Sequence, residues 1–248
     1  MLLEQHVADG VHRVEDAYTN WYILEDGGRL TIVDTGFPAS WKSLQQALVR
    51  LGRSARDIDA IVLTHAHFDH MGFADRARRE LGVPVWAHVD EQHLVAHPWD
   101  YDHEHSRLRQ AISHPSFLKV FAAMGLAGAL WVKGTSEAST YTAGQVLDVP
   151  GHPRAVFTPG HTYGHCSLHL ADRGALLAGD AIVTFDPYTT GTGPQIVSGA
   201  ATADSAQALA SLTALEACEA DVVATGHGPV WKGDIREAVA RAREAGPS

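Results

Sequence analysis

Four residues that can bind a metal ion or move a proton lie within six positions of one another: His65, His67, Asp69 and His70. The apolar run at 60–63 precedes them and predicts a buried strand that ends at this cluster. Imidazole and carboxylate groups are ligands of Zn²⁺, Fe²⁺ and Mn²⁺. On a turn, the first two side chains can point one way while the last two point to an adjacent position. The spacing therefore indicates two neighbouring metal positions.

Three more candidate ligands end other short apolar runs: His161, Asp180 and His227. Together with the first cluster they make five histidines and two aspartates, a set that suits two metal ions sharing a bridging ligand. Ions about 3.5–4 Å apart in such a site hold a water between them and lower its pKa toward neutrality. In this interpretation one ion binds His65, His67 and His161, the other binds Asp69, His70 and His227, and Asp180 spans both.

A further carboxylate, Asp34, ends the predicted strand at 30–33 and is followed by Thr35 and Gly36. We expect it to brace the ligand turn, residues 64–70, through hydrogen bonds. The alternative is that Asp34 only forms a turn before a glycine.

Composition excludes several classes of protein. The chain has 248 residues and a formal net charge of −10, so a nucleic-acid partner is not expected. Its two cysteines, Cys166 and Cys218, make no disulfide framework and fit a reducing compartment. No signal peptide is visible, and the longest apolar run, 120–132, is too short to span a bilayer. We therefore expect a single cytoplasmic domain, 1–248, with no membrane partner.

The apolar patterns predict strands and helices in irregular alternation. Strands are predicted at 11–14, 20–24, 30–33, 60–63, 83–87, 146–149, 155–158, 166–170, 175–178 and 221–224, helices at 38–52, 73–81, 204–219 and 235–245, and a loop at 186–199. Residues 90–138 are helical in pattern and broken by prolines, which indicates a helical insertion over the site. Its aromatic residues, among them Trp99 and Phe121, either line a substrate pocket or pack the insertion's own core.

Five motifs resemble those of the metallo-β-lactamase fold superfamily and occur in the family's order. They are IVDTG at 32–36, THAHFDHMG at 64–72, TPGHTYGHCS at 158–167, LLAGD at 176–180 and TGHGP at 225–229. The resemblance implies an α/β fold, the four-layer αβ/βα sandwich, with the site at one edge between two sheets. A TIM-barrel amidohydrolase also has His-x-His after a strand, but it does not continue with Asp-His.

The aspartate at Asp180 makes the chain similar to the branch that hydrolyses esters, thioesters and lactones, because true β-lactamases of this fold lack it. Glyoxalase II is similar in its ligand motifs but has a helical extension, whereas only 21 residues follow His227 here. Acyl-homoserine lactonases are similar in size; some carry a tyrosine where this chain has Val183, and Tyr188 is expected to replace it in the substrate pocket. Nucleases of this fold, such as tRNase Z, fit poorly with the acidic charge.

The resemblance implies a metal-dependent hydrolase in which a hydroxide bridging two metal ions attacks a carbonyl, with Asp69 as the catalytic carboxylate that holds it. We expect two divalent cations, zinc or else iron or manganese, and a small-molecule substrate with an apolar or aromatic part. Two alternatives stay open. One is a mononuclear iron dioxygenase of the persulfide type, and the other is a non-catalytic protein that binds metal and a ligand. The oligomeric state is left open.

Overall fold

Two β-sheets face each other, and helices cover the outer face of each. The computed structural model describes residues 1–106 and 116–248. Three groups of buried apolar residues fill the space between the two sheets and the two spaces between a sheet and its helices. The α/β sandwich of four layers, αβ/βα, is therefore confirmed.

The first sheet contains seven strands that lie side by side in chain order. They are β1 (Leu2–Ala8), β2 (Val11–Asp16), β3 (Thr19–Asp26), β4 (Arg29–Val33), β5 (Ile58–Val62), β6 (Val85–His88) and β7 (Ser139–Tyr141). Strands β1 to β4 are antiparallel neighbours, whereas β4 to β7 run parallel. The parallel half brings the carboxyl ends of β4, β5 and β6 to one edge of the sheet.

The second sheet contains five strands, and a separate two-stranded ribbon lies beside it. The five are β8 (Arg154–Phe157), β9 (Cys166–Leu170), β10 (Ala175–Gly179), β13 (Val222–Thr225) and β14 (Trp231–Lys232), and the ribbon is β11 (Val183–Phe185) with β12 (Thr192–Gln195). Their order in the sheet is β14-β13-β10-β9-β8. Only β10 and β13 pair in parallel, so their carboxyl ends also lie together.

Seven α-helices are present in the described ranges. They are α1 (Ser40–Arg50), α2 (Ala74–Leu81), α3 (Gln92–Ala96), α4 (Phe117–Leu126), α5 (Ser205–Ser211), α6 (Thr213–Glu216) and α7 (Ile235–Ala245), and a one-turn 3₁₀ helix, Val89–Glu91, precedes α3. Helices α1, α2 and α4 contribute to the core outside the first sheet, while α5 to α7 cover the second.

Strand β5 shows why the ligand turn follows a continuous apolar run. Ile61 packs with the helix-side core of the first sheet, while Ala60 and Val62 pack in the core between the two sheets. Successive side chains of a strand point to opposite faces. Because both faces of this parallel strand are buried, the run is apolar at every position rather than at alternate ones.

The predicted strand at 146–149 is wrong. Only Val146 pairs, in an isolated bridge with Arg154. Leu147 and Val149 are nevertheless buried between the sheets, so their alternation reflects burial rather than strand pairing. Pro150 comes next and has no backbone N–H to donate to a ladder.

Other boundaries also differ from the sequence prediction. The helix predicted at 204–219 is two helices, α5 and α6, and the Ser211 hydroxyl at the break donates to the carbonyl of Ala208, a contact that bends helices. The loop predicted at 186–199 contains β12, and β1, β7, β11 and β14 were not predicted. The insertion predicted at 90–138 contains α3 and α4, but its residues 107–115 lie outside the described ranges.

Both cysteines, Cys166 and Cys218, are free and buried. Within residues 1–106 and 116–248, no helix combines the length and apolar character needed to cross a bilayer.

The contact of Gly72 with the backbone after β4 gives a test of the fold. Gly72 N donates to the carbonyl of Gly36 at 2.8 Å, and a Cβ at Gly72 would lie 2.2 Å from Phe37 Cα. We expect Gly72→Ala to lower the free energy of unfolding by about 1–3 kcal/mol, the usual cost of overpacking. Gly125→Ala is the control: it lies in helix α4 with open space around it, and alanine favours helix by roughly 0.5–1 kcal/mol. Urea unfolding of both variants measures the difference, and equal stabilities would contradict the steric argument.

Candidate metal centre

The seven candidate ligands lie at the edge of the sandwich where strands of both sheets end. The ligand turn follows β5, and Asp180 and His227 follow the parallel strands β10 and β13. His161 lies in the loop 158–165 between β8 and β9. The structure therefore brings together residues from four separate segments of the chain.

Two groups of three among these side chains could each hold a metal ion, and a third group combines His65 and His70 with Asp34. The ligand atoms of each group lie within 4.8 Å of one another. One group is His65, His67 and His161, and the other is Asp69, His70 and His227. These are the same two sets of three that the sequence predicted.

Asp180 lies between the two groups. Its Oδ2 is 3.3 Å from His161 Nε2 and 3.2 Å from His227 Nε2, and its Oδ1 is 3.7 Å from His70 Nε2. The same Oδ2 also lies 3.9 Å from His65 Nε2, so the carboxylate faces two imidazoles of the first group and two of the second. This is the position that a ligand shared by two cations would need.

The residues fit a cation because several buried polar atoms lack another partner. In the described ranges, Nε2 of His65, His70 and His161 and Oδ1 of Asp180 are buried and make no hydrogen bond. Each of the seven candidate ligands is at most 6% exposed. A buried polar atom without a partner costs free energy, and a cation between these atoms would satisfy them together.

The pKa shifts divide the candidate ligand histidines into two kinds, those with a lowered pKa and those with a raised one. Burial lowers the pKa of His161 to about 4. Burial also acts on His70, but the carboxylates of Asp180, Asp69 and Asp34 outweigh it and raise the pKa of His70 to about 9. The pKa of His227 is likewise raised, against its burial, by Asp180 and Asp69. A proton on such a histidine occupies the place that a metal ion would take, because metal binding releases protons from its ligands.

Asp34 makes the contacts that orient one end of the ligand turn. Its Oδ1 accepts a hydrogen bond from Thr64 N at 2.8 Å, and its Oδ2 accepts one from the Thr64 hydroxyl at 2.8 Å. The same Oδ2 lies 3.0 Å from His70 Nδ1. Asp34 has a φ of +57°, an uncommon conformation for a residue with a Cβ. With Nδ1 held by this carboxylate, His70 presents Nε2 to the other candidate ligands.

Glu91 makes structural hydrogen bonds near the site, and its sequence position gave no sign of them. It is 1% exposed and lies in the 3₁₀ helix after β6. Its Oε2 accepts from Ala66 N at 2.8 Å, and its Oε1 accepts from the Thr162 hydroxyl at 2.6 Å and from Gly164 N at 2.9 Å. Glu91 therefore joins the ligand turn to the loop that carries His161. Burial raises its pKa to about 6 against these hydrogen bonds.

Asn20 makes the corresponding contact on the His227 side and was also missed. Its Nδ2 donates to the carbonyls of Thr225 and Gly228 at 2.8 and 2.7 Å. The Tyr22 hydroxyl also donates to Thr225 O at 2.7 Å. Strand β3 of the first sheet thus holds the segment that carries His227.

His165, which the sequence did not place among the ligands, supports Asp180 instead. Its Nε2 accepts a hydrogen bond from the backbone N of Asp180 at 3.0 Å, and its Nδ1 lies 2.8 Å from the Thr158 hydroxyl. Burial lowers the pKa of His165 to about 3, so the ring is neutral and can accept this bond.

The aromatic residues predicted to line the substrate pocket pack against other rings. Trp99 stacks on Phe68 with centroids 3.9 Å apart, and Tyr188 stacks on Phe117 at 5.1 Å. Phe121 lies 5.6 Å from the same Phe117 and is 44% exposed. Their contact with substrate stays a prediction.

Comparison with known proteins agrees with this architecture. Residues 14–227 match the family model of the metallo-β-lactamase superfamily, and the chain belongs to that superfamily. It is 27% identical to the probable metallo-hydrolase YflN of Bacillus subtilis, over 89% of this chain and 84% of that protein. It is 29% identical to a hydroxyacylglutathione hydrolase of Gloeobacter violaceus, over 69% of this chain and 52% of that enzyme.

Solved structures show the same fold. A metallo-β-lactamase family protein of Thermus thermophilus superposes with a TM-score of 0.69 at 25% identity, covering 96% of this chain and 79% of that one. A metallo-β-lactamase of Cronobacter sakazakii gives 0.66 at 22% identity, covering 96% and 90%.

Removing the Glu91 carboxylate tests how the two ligand loops are held. We expect Glu91→Ala to weaken zinc binding about 10–100-fold, the usual effect of losing a group that orients metal ligands. Glu91→Gln keeps one oxygen but turns an amide N–H toward a backbone donor, so its effect should be intermediate. Glu80→Gln, an exposed residue of helix α2, is the matched control. Competition with a chromophoric chelator measures the affinities, and wild-type affinity in Glu91→Ala would show that the loops do not need this contact.

Proposed function

We propose that the protein is a hydrolase of ester, thioester or lactone bonds that works with two divalent cations, zinc in the first instance. The observation that carries the proposal is the position of Asp180, whose carboxylate faces both groups of candidate ligands. The family supplies the broader frame, since matching relatives include a probable metallo-hydrolase and a hydroxyacylglutathione hydrolase. Another is named atrochrysone carboxyl ACP thioesterase, from Aspergillus fumigatus, and is 27% identical over 66% of this chain.

His65, His67 and His161 would hold one cation and Asp69, His70 and His227 the other, with Asp180 shared. When bound, two such cations polarise a carbonyl oxygen and lower the pKa of an attacking water. The remaining catalytic roles would belong to side chains of the protein itself.

Asp69 is the candidate catalytic carboxylate. Its Oδ2 lies 3.4 Å from His227 Nε2 and 3.4 Å from the Thr19 hydroxyl. It is also the most exposed of the seven candidate ligands, at 6%. We infer that Asp69 accepts a hydrogen bond from the attacking water and directs its lone pair toward the substrate carbonyl.

The substrate is a small molecule with an apolar part in this proposal, and the net charge of −10 disfavours nucleic acid. The persulfide dioxygenase alternative needs one iron. The presence of two groups of ligands on either side of Asp180 favours two cations instead. Oxygen uptake with a persulfide would separate the two reactions.

Metal removal is the first test. Dialysis against a chelator is expected to abolish hydrolysis of a panel of aryl esters, thioesters and lactones, and added zinc should restore it. Mass spectrometry of the reconstituted protein should give two metal ions per chain. Full activity in the metal-free protein would contradict the proposal.

The role of Asp69 can be tested by a change of one atom. Asp69→Asn removes the charge that holds the water, so kcat should fall by about 10²–10⁴-fold, the range for a lost general acid–base group. Asp172→Asn, at an exposed position of a surface turn, should leave kcat unchanged. Equal kcat values for Asp69→Asn and Asp172→Asn would contradict the catalytic role of Asp69.

A further inference from the structure

A cavity of about 440 Å³ lies between the β2–β3 turn, the β11–β12 ribbon and the segment after His227. Three aromatic side chains line it: Tyr18, Phe185 and Trp231. The volume falls in the range of sites for small organic ligands, about 300–1,000 Å³. We refer to this cavity as the aromatic pocket.

Hydrogen bonds link residues that line the aromatic pocket to residues of the candidate metal centre. His227 Nδ1 lies 2.7 Å from the backbone carbonyl of Tyr18, and Thr184 N donates to the carbonyl of His227 at 3.1 Å. The hydroxyl of Thr19, next to Tyr18, lies 3.4 Å from Asp69 Oδ2. The pocket and the metal centre therefore share the same structural supports.

The turn that presents Tyr18 is held in an uncommon conformation. Asp16 pairs with Thr19, so Ala17 and Tyr18 are the two residues of a tight hairpin turn. Both have positive φ, +49° and +70°. Such turns favour glycine or asparagine, and other residues there cost about 1–3 kcal/mol. The strained turn places Tyr18 against Phe185, with centroids 5.6 Å apart and rings nearly parallel.

The lining of the pocket indicates what it would bind. Glu15 is its one charged side chain among the described lining residues, and it is already paired with Arg13. The remaining lining consists of rings, small side chains and backbone. Such a surface offers no free charge to an ionic ligand, and burial of apolar surface is its main source of affinity.

We propose that the aromatic pocket binds the apolar acyl or aryl part of the substrate while the carbonyl lies at the metal centre. The proposal rests on the proposed hydrolase function and places the apolar part beside His227. The sequence had placed it at Trp99, Phe121 and Tyr188, two of which stack on other rings. Tyr18, Phe185 and Trp231 are then the residues that set acyl-chain preference.

Kinetics with matched substrates test the specificity. For 4-nitrophenyl octanoate, Trp231→Ala and Phe185→Ala should each lower kcat/KM about tenfold, while kcat/KM for 4-nitrophenyl acetate stays within about twofold. Trp131→Ala is the control, since that indole is 69% exposed and does not line the pocket. A parallel loss for both esters, or no loss for either, would overturn the proposal.

A binding measurement separates this proposal from the proposed hydrolysis. The protein as purified, labelled with 5-fluorotryptophan, is titrated with the neutral probe 4-phenylbutan-1-ol, an alcohol that hydrolysis cannot consume, and followed by ¹⁹F NMR. The resonance of Trp231, assigned from Trp231→Phe, should shift, while that of Trp131 should not. If the resonance shifts but no ester is hydrolysed, the pocket stands and the hydrolase proposal fails. If the Trp231 resonance does not move at saturating probe, the pocket assignment is wrong.

Discussion

The candidate metal centre depends on hydrogen bonds between loops that belong to different sheets. Glu91 joins the ligand turn of the first sheet to the loop 158–165 of the second. Asn20 joins strand β3 to the segment that carries His227. A second carboxylate, Asp34, holds the ligand turn itself. Without such contacts the seven side chains would be set only by the ends of separate strands, which are the least constrained parts of a sheet.

The site is a polar exception within a buried region. Imidazole and carboxylate groups lie together at most 6% exposed, and burial of charged or unpaired polar groups costs free energy. The surrounding layers offset this cost, because the strands that lead into the site are apolar on both faces. The pKa values of His161 and His70 reflect the same opposition: burial lowers the first, whereas the carboxylates of Asp180, Asp69 and Asp34 raise the second against its burial.

Sequence patterns pointed to the candidate ligands because they cluster at 65–70 after one short apolar run or follow the ends of others. Asp180 and His227 stood out by their place after short apolar runs, and His65 stood out by the spacing of the cluster at 65–70. Glu91 and Asn20 could not be found in the same way, because each is a single polar residue whose importance comes from a distant backbone group that spacing does not reveal. The error at 146–149 has a related cause: Leu147 and Val149 alternate as in a strand, but a buried loop can show the same pattern.

The contact between Asn20 and the carbonyl of Thr225 joins residues 205 positions apart. Closing so long a segment costs more loop-closure entropy than closing a short one. Non-local contacts of this kind therefore form slowly during folding. Asp69 and His70 belong to the same candidate group as His227. They can contact His227 only after nearly the whole chain has been synthesised. We therefore expect the candidate metal centre to be completed only once β13 has joined the second sheet.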